Sequence, residues 1–140
     1  MECEFPKENA TSAEIAEILR SSRVIAVIGA SLKPERPAHW ISVYLKEQGY
    51  RVIPVNPGHA EILGEKCYRS LSEVPQAVDI VDIFRDPSAV PAIVDEAIAK
   101  KAKVIWMQEG IVHNEAADKA RKAGLKVVQN KCIYKEHARL

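Results

Sequence analysis

The chain has 140 residues, 47% of them apolar and 28% charged, with a formal net charge of +1. That length suits one domain, 1–140, able to bury roughly 70% of its unfolded surface without staples, and the composition excludes the disordered and fibrous classes. A net charge so near zero offers no global attraction to nucleic acid or an anionic membrane, and no apolar run reaches the roughly 20 residues needed to cross a bilayer.

Residues 1–10 read as a loose leader. Met1 to Pro6 lack the basic segment and apolar stretch of a secretory signal, so the expected setting is cytoplasmic. Thr11 and Glu14 are spaced as a capping box, and Ile15, Ile18 and Leu19 fall on one face of the short helix they open. Short Val- and Ile-rich runs follow at Val24 to Ile28, Val52 to Val55, Ile80 to Phe84, Val104 to Met107 and Lys126 to Val128. Such runs suit strands covered on both faces, as in a parallel sheet. Lys66 to Tyr68 is a candidate for a short extra strand.

Amphipathic helices separate these runs. Residues 38–48 form one, with Gly49 as its C-terminal cap. Residues 89–101 form the next, on the helical spacing of Val90, Ile93, Val94, Ala97 and Ile98, with Ser88 as candidate cap and Pro91 in the first turn. Residues 115–123 form another, between Asn114 as candidate cap and Gly124 as stop. Strands alternating with helices predict an α/β fold: a doubly wound, Rossmann-type parallel sheet of five to six strands flanked by helices. Ligands in such sheets bind at the carboxyl ends of the strands, where the strand order reverses.

The segment after the first strand, Gly29 to Pro37, runs straight into a helix. Its backbone N–H groups and the positive helix end suit an anion. Gly29 permits a tight turn, Ser31 offers a hydroxyl, Lys33 and Arg36 supply positive charge, and Pro37 opens the helix. The alternative is a plain reversing turn with solvated Lys33 and Arg36. The NAD fingerprint Gly-x-Gly-x-x-Gly is absent, since Ser31 and Pro34 stand at its second and third positions. The second strand ends in Asn56-Pro57-Gly58, where an acidic residue would grip the ribose of NAD. The Walker pattern of P-loop NTPases is also missing.

Phe84 and Arg85 end another strand. They suit an adenine face and a phosphate, or else a core aromatic and a surface ion pair with Asp86. Gln108-Glu109-Gly110-Ile111 ends the next, with Gly110 allowing close backbone approach and Ile111 lining an apolar slot. His39, His59, His113 and His137 lack metal spacing, and no Gly-x-Ser-x-Gly elbow surrounds Ser31. Trp40 and Trp106 read as packing between helix and sheet, with an interface role as the alternative for Trp40. Cys3, Cys67 and Cys132 are odd in number and include no Cys-x-x-Cys, which argues against a disulfide framework or zinc and for a reducing compartment. Cys132 reads as a small buried hydrophobe.

Several stretches together resemble the stand-alone CoA-binding domain family, from about Ser12 to the end of the chain. They are Val27 to Ser31, Gly49 to Pro57, Glu61 to Gly64, Phe84-Arg85, Ala102 to Gln108, Glu115 to Ala117, Ala123 to Leu125 and Glu136-His137. The same pattern is similar to the nucleotide-binding domain of the succinyl-CoA synthetase alpha subunit. The resemblance implies coenzyme A held across the strand ends, with its pyrophosphate on the Gly29, Ala30, Ser31 and Lys33 loop. It implies Asn56 and Pro57 beside the nucleotide, Phe84 and Arg85 on the adenine side, and Gly110 and Ile111 along the pantetheine arm. Ligase activity is not implied, because that synthetase uses a phosphorylated histidine on a further domain and an ATP-grasp partner.

The expected protein therefore binds CoA or an acyl-CoA without a complete catalytic constellation of its own. The alternatives are an NAD(P)-dependent oxidoreductase and the nucleotide-binding subunit of an acyl-CoA ligase complex. A further one is a redox module in which Cys132 or Cys3 forms a mixed disulfide with CoA. A homo-oligomer or a protein partner stays open.

Overall fold

A computed structural model describes residues 4–140; Cys3 lies outside the described residues. In chain order the elements are α1 (Ser12–Ser21), β1 (Val24–Ile28), α2 (Pro37–Glu47) and β2 (Arg51–Val55). A hairpin of β3 (Glu61–Ile62) and β4 (Glu65–Lys66) follows. Then come β5 (Ile80–Ile83), α3 (Val90–Lys100), β6 (Val104–Met107), α4 (Asn114–Lys122), β7 (Lys126–Val128) and α5 (Ile133–Ala138). The apolar runs become a five-stranded sheet of order β2-β1-β5-β6-β7, and every adjacent pair is parallel.

Strand alternation splits the core into two layers. Ala26, Ile28, Val81, Ile83, Ile105 and Met107 face α3 and α4, while Ile25, Val27, Ile80, Val104 and Trp106 face α1, α2 and α5. Burial on both faces explains why these strands read as continuous rather than alternating apolar runs. Asp82 interrupts the second layer, with no accessible surface and no hydrogen-bond partner on either carboxyl oxygen.

The Thr11–Glu14 capping box is present, with Glu14 N–H donating to Thr11 Oγ1 (3.2 Å) and Thr11 N–H to Glu14 Oε1 (2.9 Å). Two other caps differ from expectation. Ser88 is itself capped: Asp86 accepts from its N–H across a 3₁₀ turn, Pro87–Ala89, which precedes α3. His113, not Asn114, caps α4, with its Nδ1 accepting from Ala116 N–H at 3.1 Å. A ring nitrogen can serve as a cap acceptor, which propensity reasoning overlooks.

Asn114 instead fastens the N-terminal segment, accepting from Lys7 N–H at 2.9 Å and donating to Phe5 O at 2.8 Å. Asn9 adds a reciprocal pair with the backbone of Gln129. Residues 4–10 thus carry no helix or strand but are tied down rather than loose. The extra strand expected at Lys66 to Tyr68 resolves into two features. Lys66 pairs antiparallel with Glu61, and Tyr68 makes a single parallel bridge to Val55. Among the described residues, no helix is long and apolar enough to cross a membrane.

Candidate functional site

The strand order reverses between β1 and β5, so the chain leaves these neighbours in opposite directions and opens a crevice at their carboxyl ends. A cleft of about 880 Å³ lies there, within the range of small-molecule sites. Its floor is the loop from Gly29 to Arg36. Gly29 has φ of +92°, and a Cβ on it would meet Phe84 O and the Arg85 side chain at 3.1 Å. Only glycine lets the loop lie this close to the end of β5.

Much of the loop's polarity is turned inward. The N–H groups of Gly29 and Ala30 both donate to Val55 O, at 3.0 and 3.3 Å. Asn56 braces the loop from β2, with Nδ2 donating to Ala30 O and Oδ1 accepting from Gly58 N–H, both at 2.8 Å. Ser31 Oγ accepts from Lys33 N–H at 3.1 Å, which leaves its own proton free to donate. His39 Nδ1 lies 2.8 Å from Ser31 O.

What remains suits an anion. Among the described residues, the N–H groups of Ser31, Leu32 and Ala38 have no protein acceptor. Lys33 and Arg36 are exposed, line the cleft, and form no ion pair among the described residues. Unspent amides along the loop and at the start of α2, with two free cations beside them, form a donor set suited to an anion.

The far wall is built by β6 and α5. Gln108 Oε1 accepts from Ile133 N–H at 3.1 Å and so ties the two together. Lys135 pairs with Glu109 at 2.9 Å, and that hydrogen bond holds its ammonium above the usual lysine range. Cys132, 7% exposed and packed in the core, presents its edge to this wall.

The cleft thus gathers Gly29, Ala30, Ser31, Lys33, Arg36, Asn56, Phe84 and Ile111 from the predicted set. Gly110 is not among the residues that line it, although its neighbours Glu109 and Ile111 are; its N–H donates to Asn130 Oδ1 at 2.8 Å. Pro57 and Arg85 lie in a second cleft of about 450 Å³, on the α3 side of the same sheet edge. Trp40 is not a packing residue between helix and sheet: it is 41% exposed, lines the main cleft and meets Tyr134 edge-on at 5.2 Å. Trp106 is fully buried as expected, donating from Nε1 to Lys131 O at 2.8 Å. Cys132, Lys135 and His59 enter the cleft without any local motif to announce them.

A five-stranded parallel sheet with an anion-suited cleft at its switch point defines a Rossmann-like α/β protein. The model of the CoA binding domain family matches residues 23–138, and the chain belongs to that family. It is 40% identical over 131 residues to the protein YneT of Bacillus subtilis (strain 168), covering 94% of this chain and 97% of that one. A solved structure of a hypothetical protein from Pyrococcus horikoshii OT3 superposes with a TM-score of 0.92 at 45% identity, covering 100% of this chain and 99% of that one. A third relative is the acetate–CoA ligase (ADP-forming) I subunit alpha of Pyrococcus furiosus, 34% identical over 128 residues. That match takes in 80% of this chain but only 28% of the subunit's length.

Proposed function

We propose that the protein binds coenzyme A or an acyl-CoA as one non-catalytic unit in the cytoplasm. The pyrophosphate rests on the free N–H groups of Ser31, Leu32 and Ala38, opposite Lys33 and Arg36. Asn56 holds that loop in shape beside the nucleotide. Phe84 packs against the adenosine, and Ile111 borders the pantetheine arm in the main cleft. The observation that carries this reading is the coincidence of the family's matched region with unpartnered loop amides at the strand-order switch. The donor set fits a diphosphate without calling on any residue already committed to the fold.

Isothermal titration with CoA, acetyl-CoA, NAD and NADP tests it. CoA is expected to bind and the dinucleotides to bind more weakly, because Asn56 follows β2 where NAD needs a carboxylate. Lys33→Ala should weaken CoA by about 1–3 kcal/mol, roughly 5- to 150-fold, through loss of one charge-assisted contact. Unchanged affinity in that variant removes Lys33 from the site; tighter binding of NAD than of CoA overturns the assignment.

The similarity to a ligase subunit favours a second reading, a CoA-holding subunit of an acyl-CoA ligase assembly. Co-purification with an ATP-grasp protein, and acyl-CoA formation only in its presence, would establish that role.

A further inference from the structure

At the carboxyl edge of the sheet a second cleft adjoins the first, and Gly29, Asn56 and Phe84 line both. The second, on the α3 side, has apolar walls that include Leu71 and Ile93. Arg69 and Arg85 stand at this cleft, both exposed, and neither guanidinium has a carboxylate partner among the described residues.

The nearby acids are largely committed. Glu96, which also lines the cleft, accepts on Oε1 from both the N–H and the hydroxyl of Ser72. Asp86 is held by Ser88, whose hydroxyl lowers its carboxyl below the usual range, with a smaller contribution from Arg85. The paired guanidinium charges outweigh the single carboxylate that lines the space.

Two basic poles therefore flank an uncharged waist. Lys33 and Arg36 stand on one side, Arg69 and Arg85 on the other. A ligand that matches has a diphosphate at one place and a separate phosphate on its nucleoside. Guanidinium groups suit the second, since their fork presents paired donors to phosphate oxygens. We propose that Arg69 and Arg85 grip the ribose 3′-phosphate of the nucleotide in the second cleft, so that the protein distinguishes coenzyme A from its 3′-dephospho form. This rests on the CoA reading above and adds the specificity determinant to it.

The test is a set of titrations of wild type, Arg69→Gln, Arg85→Gln and the double variant with CoA and with 3′-dephospho-CoA. Both side chains are exposed, so the variants are expected to fold, and a melting curve for each checks this. Wild type should bind CoA at least about 10-fold more tightly than dephospho-CoA, the scale of one charge-assisted contact. Each single variant should shrink that ratio and the double variant should bring it near unity, with dephospho-CoA affinity little changed. Equal wild-type affinity for the two ligands, or a ratio that survives in the double variant, overturns the proposal while leaving CoA binding intact. Failure of the wild type to bind either ligand refutes the CoA reading itself, and this inference with it.

Discussion

Replacing Asp82 with valine stabilises the protein at neutral pH, by an amount that grows as pH rises. Asp82 sits in β5 between Val27 of β1 and Trp106 of β6, on the face covered by α1, α2 and α5. Neither carboxyl oxygen has a partner, and burial alone pushes its pKa well above the usual carboxylate range. Below about pH 4 the group is protonated in both folded and unfolded chains. Above that, the unfolded chain releases the proton and the native state keeps it. The unfolded state then gains about 1.4 kcal/mol per pH unit until the native carboxyl also ionises.

The stability associated with the neutral group is thus complete below about pH 4 and lost as pH rises toward the elevated native value. His137 acts in the opposite sense, because burial lowers its pKa and acid favours the unfolded chain. Comparing variant with wild type at each pH cancels that contribution. From pH 5 to pH 7 the advantage of Asp82→Val in urea unfolding should widen, by at most about 1.4 kcal/mol per pH unit, for as long as the native carboxyl keeps its proton. Asp82→Asn should flatten the pH dependence equally but gain less at pH 7, because it leaves a buried amide unpaired. A difference that stays constant over this range would falsify the neutral, unpaired state of the native carboxyl.

Gly29→Ala should cost both stability and ligand affinity. Its φ of +92° disfavours any side chain by about 1–3 kcal/mol. The new methyl would also press on backbone, meeting Phe84 O at 3.1 Å and Phe84 C at 3.3 Å. Gly124 supplies the control, since its φ is +95° but a methyl there would have nothing within 4 Å. Gly124→Ala should show only the backbone cost, whereas Gly29→Ala should lose more and weaken CoA binding by shifting the loop off the β5 end. Equal losses of stability in the two variants, with unchanged affinity, would show that the close approach of loop and strand does not matter.

The parallel sheet was legible because strands buried on both faces leave uninterrupted apolar runs, and Gly49 and Gly124 mark where two helices stop. The hairpin at Glu61 to Lys66 was not, since strands of two residues leave no periodic pattern. The caps at Asp86 and His113 depend on which acceptor the folded chain brings to a free N–H, which composition does not reveal.

Within the site, the loop from Gly29 to Arg36 could be read from position alone, because strand-to-helix turns at a carboxyl edge recur in this architecture. The contribution of α5 could not. Cys132 and Lys135 reach the cleft because β7 adds to the far edge of the sheet and the chain then returns across its end. Gly110 looked like a site glycine because it follows a strand, yet its N–H is consumed by Asn130. Asn56 lines the cleft, and its amide also braces Ala30 and Gly58, a structural role that the sequence does not announce.

A crystal structure of the protein soaked with coenzyme A tests the central claim most directly. Electron density for the pyrophosphate should lie against the N–H groups of Ser31, Leu32 and Ala38, with Lys33 and Arg36 turned toward it and the thiol arm running past Ile111. A saturating soak that leaves this loop bare, or that places the nucleotide elsewhere on the molecule, would contradict the account.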